Sequence, residues 1–142
     1  MSKFSNYTEN QIIESTLRGN AFVLPTTVYI ALFTADPTDA DITANEVQTA
    51  AFTSYARQDA SGGVGGPSSG WAAASNGVSS NAKIITFPDN DGAAPVIVTH
   101  IGIYDAATGG NLLYHSDLVT SKTLQIGDVL SFAVGAITIT VA

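Results

Sequence analysis

Two histidines on neighbouring predicted strands are the residues of this chain best suited to bind a metal ion. Pairing Tyr104 with Asn111 across a predicted hairpin places His100 directly opposite His115 on one face of the sheet. Imidazole nitrogens are common zinc ligands, and a nearby aspartate would supply a third ligand. Because the spacing fixes no third ligand, we favour a polar cross-strand pair or a pair buried in a subunit contact.

A short acidic stretch is the second candidate for an ion site. It contains Asp36, Asp39, Asp41 and Glu46. Carboxylate oxygens on a loop are the ligands that calcium prefers, but this spacing does not fit an EF-hand. Because Asp followed by Pro is typical of a turn, we favour a solvated turn and expect neither a metal nor any other cofactor in this protein.

A serine motif resembles a hydrolase nucleophile in sequence only. Residues 66–70 read Gly-Pro-Ser-Ser-Gly, a pattern that is functional where a strand turns sharply into a helix. The flanking residues predict neither element. Since glycine is costly to order, residues 61–70 are predicted to form a flexible loop or arm. Its candidate interface residues are Gly62, Gly63, Gly65 and Gly66.

Three larger side chains are also candidates for contacts with other subunits. Trp71 is the only tryptophan and precedes an alanine run, which favours an anchor in a core or an interface. An exposed Trp71 would instead offer a stacking platform to a sugar. Tyr7 and Ile12 flank the start of a predicted helix and could pack on each other there.

Composition limits the classes of function. The 142 residues include 45% hydrophobic and only 12% charged side chains, so we predict one domain over residues 1–142 with a weakly charged surface. The net charge of −7 opposes binding to nucleic acid or anionic membranes. The absence of cysteine excludes disulfides and thiolate chemistry. The polar N-terminus predicts no signal peptide, so we expect synthesis in a cytoplasm.

The pattern of turns and apolar residues predicts a mainly β fold. A capping box that starts at Thr8 and a stop at Gly19 predict one helix at about residues 9–18. Alternating apolar residues predict about eight short strands. They include a central strand at residues 28–33, a weaker strand at 46–52 and a hairpin of residues 96–104 and 111–115. We therefore expect an antiparallel β-sandwich or partly open barrel with one short N-terminal helix.

Several stretches together resemble a family of small tailed-phage virion proteins commonly labelled phage tail fibre proteins. The stretches are residues 6–10, 27–39, 55–58, 74–77 and 98–114, the last reading VTHIGIYDAATGGNLLY. The resemblance covers nearly the whole chain and carries no catalytic residues. It implies a structural role in a virion, other virion proteins such as the major capsid protein or tail proteins as partners, and a homo-oligomer, for which a trimer is one option.

Two hypotheses for function follow. The first is a non-enzymatic capsid decoration or cement subunit on the particle surface, because one compact β domain with an arm suits that role. The alternative is a tail-fibre or tail-tip subunit with a receptor- or carbohydrate-binding role, in which Trp71 and residues 105–110 would make the contact. Neither hypothesis involves catalysis.

Overall fold

The computed structural model describes residues 2–62 and 70–141. Within these ranges the chain forms one α-helix, a short 3-10 helix at Thr43–Asn45 and nine strands. The elements are β1 (Lys3–Phe4), α1 (Asn6–Leu17), β2 (Tyr29–Phe33), β3 (Gln58–Asp59), β4 (Val78–Ser80), β5 (Ile85–Asp89), β6 (Val96–Tyr104), β7 (Leu112–Leu124), β8 (Val129–Phe132) and β9 (Thr138–Thr140).

The strands form a five-stranded sheet and two smaller pairs. The order in the large sheet is β1-β7-β6-β2-β3, while β4 pairs with β9 and β5 pairs with β8. Every pairing is antiparallel. The arrangement is sandwich-like and not a closed barrel, which confirms the predicted mainly β fold with a short N-terminal helix.

The inner face of the large sheet packs against the two smaller pairs. Ile30 and Leu32 of β2 and Ile103 of β6 belong to the same buried cluster as Phe87 of β5 and Leu130 of β8. All of them are less than one tenth exposed. Burial of these side chains removes apolar surface from water and holds the two layers together.

The outer face of the large sheet is also buried around its central strands. Ala31, Phe33, Tyr104 and Leu112 form a second cluster there. A Cβ atom at Gly102 would lie 2.8 Å from both the Phe33 ring and a Leu112 methyl group, so only glycine lets these two side chains close over β6. Since β2 is buried on both faces, it is a central strand, as its apolar pattern predicts.

The helix starts three residues earlier than the sequence pattern predicts. Ser5 is the N-cap, and its hydroxyl accepts a hydrogen bond from the Thr8 backbone N–H at 3.3 Å. The predicted capping box is therefore wrong, because Thr8 lies inside the helix that Ser5 caps. The Thr8 hydroxyl donates to the Leu113 carbonyl of β7 at 2.9 Å. The predicted stop is confirmed, since Gly19 has a φ of +72° and follows the C-cap.

Candidate functional site

An acidic loop (residues 36–46) lies on the outer face of the large sheet. Asp36 begins the loop, and its carboxylate accepts a hydrogen bond from the Thr38 backbone N–H at 2.8 Å. The expected turn is thus present. Further along the loop, Asp39 contacts His115 and Asp41 contacts Tyr104, and both of these partners belong to the sheet.

His115 of β7 joins this loop to the sheet. Its Nδ1 lies 3.2 Å from Asp36 Oδ1, and its Nε2 lies 2.9 Å from Asp39 Oδ1. The His115 side chain is 1% exposed, whereas the two carboxylates are about half exposed. Each ring nitrogen of His115 thus faces one of these carboxylates, so one side chain fastens two points of the loop.

Electrostatics favour the ionised form of Asp36. Burial raises the pKa of this carboxyl, but the Thr38 N–H and the positive fields of His115, His100 and Lys3 outweigh burial, and the pKa lies below its usual value. Lys3 Nζ is 4.0 Å from the carboxylate. The charged form of Asp36 is therefore part of the folded structure.

Asp41 fastens the far side of the same loop. It accepts a short hydrogen bond from the Tyr104 hydroxyl, at the end of β6. Burial is the main cause that raises the pKa of Tyr104, and the hydrogen bond to Asp41 adds to it. The phenol consequently stays protonated and acts as a donor.

The predicted pairing of the two histidines is wrong. Tyr104 pairs with Leu112 and not with Asn111, and the register shifts between Ile103 and Tyr104. Gly102 therefore lies opposite His115, and His100 lies opposite Asp117. His100 Nδ1 is instead hydrogen-bonded to the Thr99 hydroxyl at 2.8 Å. Among the described residues no group of three or more His, Cys, Asp or Glu side chains is arranged to hold a metal ion.

A buried ion pair joins Glu46, the last residue of the acidic loop, to Arg57. Arg57 Nε and Nη2 donate to the two carboxylate oxygens of Glu46 at 2.8 and 2.7 Å, and the two side chains are 6% and 12% exposed. This fork geometry is specific to arginine. Burial lowers the pKa of Arg57, but the hydrogen bonds and charge of Glu46 outweigh burial and raise it.

The third guanidinium nitrogen of Arg57 contacts the hairpin loop (residues 105–110) between β6 and β7. Nη1 donates to the carbonyls of Ala106 at 3.2 Å and Gly109 at 2.7 Å. Inside the loop, Asp105 accepts hydrogen bonds from the backbone and side chain of Asn111 at 2.7 and 2.8 Å. The positive φ angles of Gly109 and Gly110, 60° and 72°, match the predicted hairpin.

Tyr55 completes this network. Its hydroxyl donates to Glu46 Oε1 at 2.9 Å and accepts from the Leu32 backbone N–H at 3.0 Å. Burial first, and then the charge of Glu46, raises the pKa of the phenol well above its usual value. Within the described residues no buried side-chain nitrogen or oxygen lacks a partner. These polar groups are therefore used to fix loops in place.

Sequence reasoning missed the role of Arg57, although one signal was available. The chain has only five Lys and Arg residues, and Arg57 follows Tyr55 with the spacing of one strand face. In a chain so poor in charge, a cation between apolar segments needs an anionic partner. Glu46 was recognised only as part of an acidic stretch, since nothing local links it to Arg57.

The predicted interface residues that the structure describes differ in burial. Tyr7 and Trp71 pack partly against the core, Ile12 is half-buried and Gly62 is exposed. Gly63, Gly65, Gly66 and the serine of the hydrolase-like motif lie outside the described residues. Gly70, the last residue of that motif, is buried, and a Cβ there would lie 2.0 Å from the Ala60 carbonyl oxygen. As interface residues, all of these remain predictions.

The fold, with the acidic loop and the hairpin loop fixed on its sheet, defines a small antiparallel β-sandwich-like protein of structural type. In the part of the chain that the structure describes, no helix has the length and apolar character needed to cross a membrane. Its ionic contacts hold loops on a sheet, and the loops themselves are left to face outwards.

A family model described as "podophage GP4 fiber I protein gp80" matches residues 3–140. Because the match covers almost the entire chain, the protein belongs to this family of podophage fibre proteins. It is therefore a structural component of a phage virion, as the resemblance implied. A sequence search found no match among curated proteins.

Proposed function

We propose that this chain is a non-enzymatic structural subunit of a phage tail fibre. The family match over residues 3–140 carries the proposal. It supports the tail-fibre hypothesis better than the capsid-decoration hypothesis that the compact fold first favoured. The chain acts by binding adjoining virion proteins.

The way in which charge is used supports a structural role. Arg57, Glu46 and Tyr55 are bonded to one another and to backbone groups. His115 is likewise occupied by two carboxylates. Groups that are committed to such contacts are poorly placed to take up a proton from a substrate or attack it.

The number of copies in a particle tests the proposal. Quantitative mass spectrometry of purified particles would give the ratio of this chain to the major capsid protein. A tail-fibre subunit is expected at a small number of copies, whereas a decoration subunit would approach the copy number of the shell. A ratio near that of the shell protein would overturn the tail-fibre assignment and restore the decoration hypothesis.

The hairpin loop is the surface that we assign to receptor contact in such a fibre. Ala107, Thr108, Gly109 and Gly110 are exposed, while Arg57 holds the loop from behind. A loop that is already ordered loses less conformational entropy on binding. Replacing Thr108→Arg should reduce adsorption of the phage to its host while leaving the unfolding midpoint unchanged. Unchanged adsorption would remove this loop from the contact and leave the structural assignment intact.

A further inference from the structure

An apolar segment between α1 and β2 is exposed to solvent. It comprises residues 21–25, Ala-Phe-Val-Leu-Pro. Val23 and Leu24 are 69% and 75% exposed, although leucine and valine are among the side chains that gain most from burial. Consecutive large apolar residues at such exposure are typical of a surface that another protein covers.

The backbone of this segment also makes no hydrogen bond within residues 2–62 and 70–141. No hydrogen bond within the described residues involves the backbone of residues 21–27, and the next bonded group is the Val28 N–H, which donates to the Ser61 hydroxyl at 2.8 Å. Backbone N–H and C=O groups without a partner in the chain can pair with another chain as an added strand.

A groove lies directly beside the segment. It has a volume of about 300 Å³, and its walls include Phe22, Leu24 and Pro25 of the segment together with Trp71, Ser79 and Ile139. Phe22 and Leu24 face the groove, whereas Val23 lies between them and, in an extended chain, points the other way. One surface thus presents both a projecting apolar side chain and a recess of apolar character.

Charge favours a second copy as the occupant. Residues 19–35 contain no acidic or basic side chain, and the described groove lining contains none either. The chain as a whole carries −7, so two copies repel each other wherever their charged surfaces meet. A basic partner would be drawn to the acidic surfaces and not to this neutral one.

We propose that the apolar segment and the Trp71 groove form the contact between copies of this chain. The segment of one copy lies in the groove of the other, and the projecting Val23 is buried between them. A surface that carries both halves of a contact is self-complementary, which is what association of identical subunits requires. This proposal concerns the isolated chain, so it stands or falls independently of where in the particle the chain is located.

Sedimentation velocity of the purified full-length chain over a range of concentrations tests the proposal. The wild type should form a discrete oligomer. The double variant Val23→Ser/Leu24→Ser should weaken self-association at least about tenfold. The matched control is Val119→Ser, since Val119 is fully exposed on β7 and should change nothing. Circular dichroism checks that all three proteins fold.

Cross-linking gives a second readout that does not depend on loss of association. The chain has no cysteine, so single cysteines are unambiguous. Mixing Val23→Cys with Ser79→Cys under oxidising conditions should give a disulfide-linked dimer of the two different variants, while Val119→Cys mixed with Ser79→Cys should not. A wild type that stays monomeric up to about 100 µM, or equal cross-linking in both mixtures, would overturn the proposal.

Discussion

The guanidinium carbon of Arg57 lies 3.4 Å from the centre of the Tyr104 ring. The same guanidinium forms a bidentate ion pair with Glu46 and binds two carbonyls of the hairpin loop. Stacking on an aromatic face and forked hydrogen bonding are both properties of arginine that lysine lacks. Arg57 therefore fixes the positions of the acidic loop, the end of β6 and the hairpin loop relative to one another.

Removing the charge of Arg57 should destabilise the protein strongly. Arg57→Met leaves Glu46 buried without its cation, and loss of one partner of a buried pair costs about 3–5 kcal/mol. Urea unfolding at neutral pH measures the loss. Arg18→Met is the matched control, because Arg18 pairs with Glu14 on the exposed surface of α1 and should cost less than about 1 kcal/mol. Similar losses of unfolding free energy in both variants would show that the buried Arg57–Glu46 pair stabilises the protein no more than the exposed pair does.

Replacing His115 should loosen the acidic loop without unfolding the sheet. His115→Gln cannot contact both Asp36 and Asp39 as the imidazole does, so amide hydrogen exchange in residues 36–46 should become faster. His100→Gln serves as the control, because the hydrogen bond of His100 is to the neighbouring Thr99. If both variants exchange like the wild type, His115 is not what holds the loop.

The stabilising effect of Asp36 should disappear in acid. Its pKa in the folded protein is below the ordinary value, so the charged carboxylate stabilises the fold above the unfolded pKa of about 4, and this contribution is lost as the pH falls through the folded pKa. Asp36→Asn should cost about 1 kcal/mol at neutral pH. Urea unfolding at lower pH should show the deficit shrinking below about pH 4. A deficit that did not change with pH would contradict the prediction.

Adding a methyl group to Gly102 should strain the outer face of the sheet. In Gly102→Ala the new Cβ meets Phe33 and Leu112 at 2.8 Å, and overpacking of this kind costs about 1–3 kcal/mol. Shortening the neighbour should relieve the strain, so Gly102→Ala in a Phe33→Leu background should cost less than in the wild type. Urea unfolding of the four proteins provides this double-mutant cycle, and strictly additive losses would argue against the contact.

Residues close in sequence determined much of the fold. Apolar alternation in residues 28–33 predicted a central strand, and β2 is buried on both faces. The glycines of the β6–β7 hairpin and Gly19 allow the left-handed backbone that their positions require. The Asp36 turn was predicted for the same reason, since its hydrogen bond closes within two residues.

Where two local signals competed, tertiary contacts decided between them. Ser5 and Thr8 are both suitable N-caps. The hydroxyls of both residues donate to carbonyls of β7, Ser5 to Leu112 and Thr8 to Leu113, and the helix begins directly after Ser5. Residues 46–52 are predicted to form a strand, but the structure places a single bridge between Glu46 and Phe33 there. After it the Ala51 and Phe52 N–H groups donate to the Gln48 carbonyl, so the chain turns.

Composition and local residue patterns specify the class of fold and the positions of its turns, and the scarcity of charge limits the chemistry. Which charged groups meet depends on contacts between segments that are distant in the chain. Glu46 and Arg57 are 11 residues apart and Asp39 and His115 are 76 residues apart, so the path of the acidic loop over the sheet brings each pair together. Strand register decides the histidines, because it places Gly102 opposite His115. A register shift of one residue moves a side chain to the other face of the sheet, and no local pattern in the chain specifies where such a shift occurs.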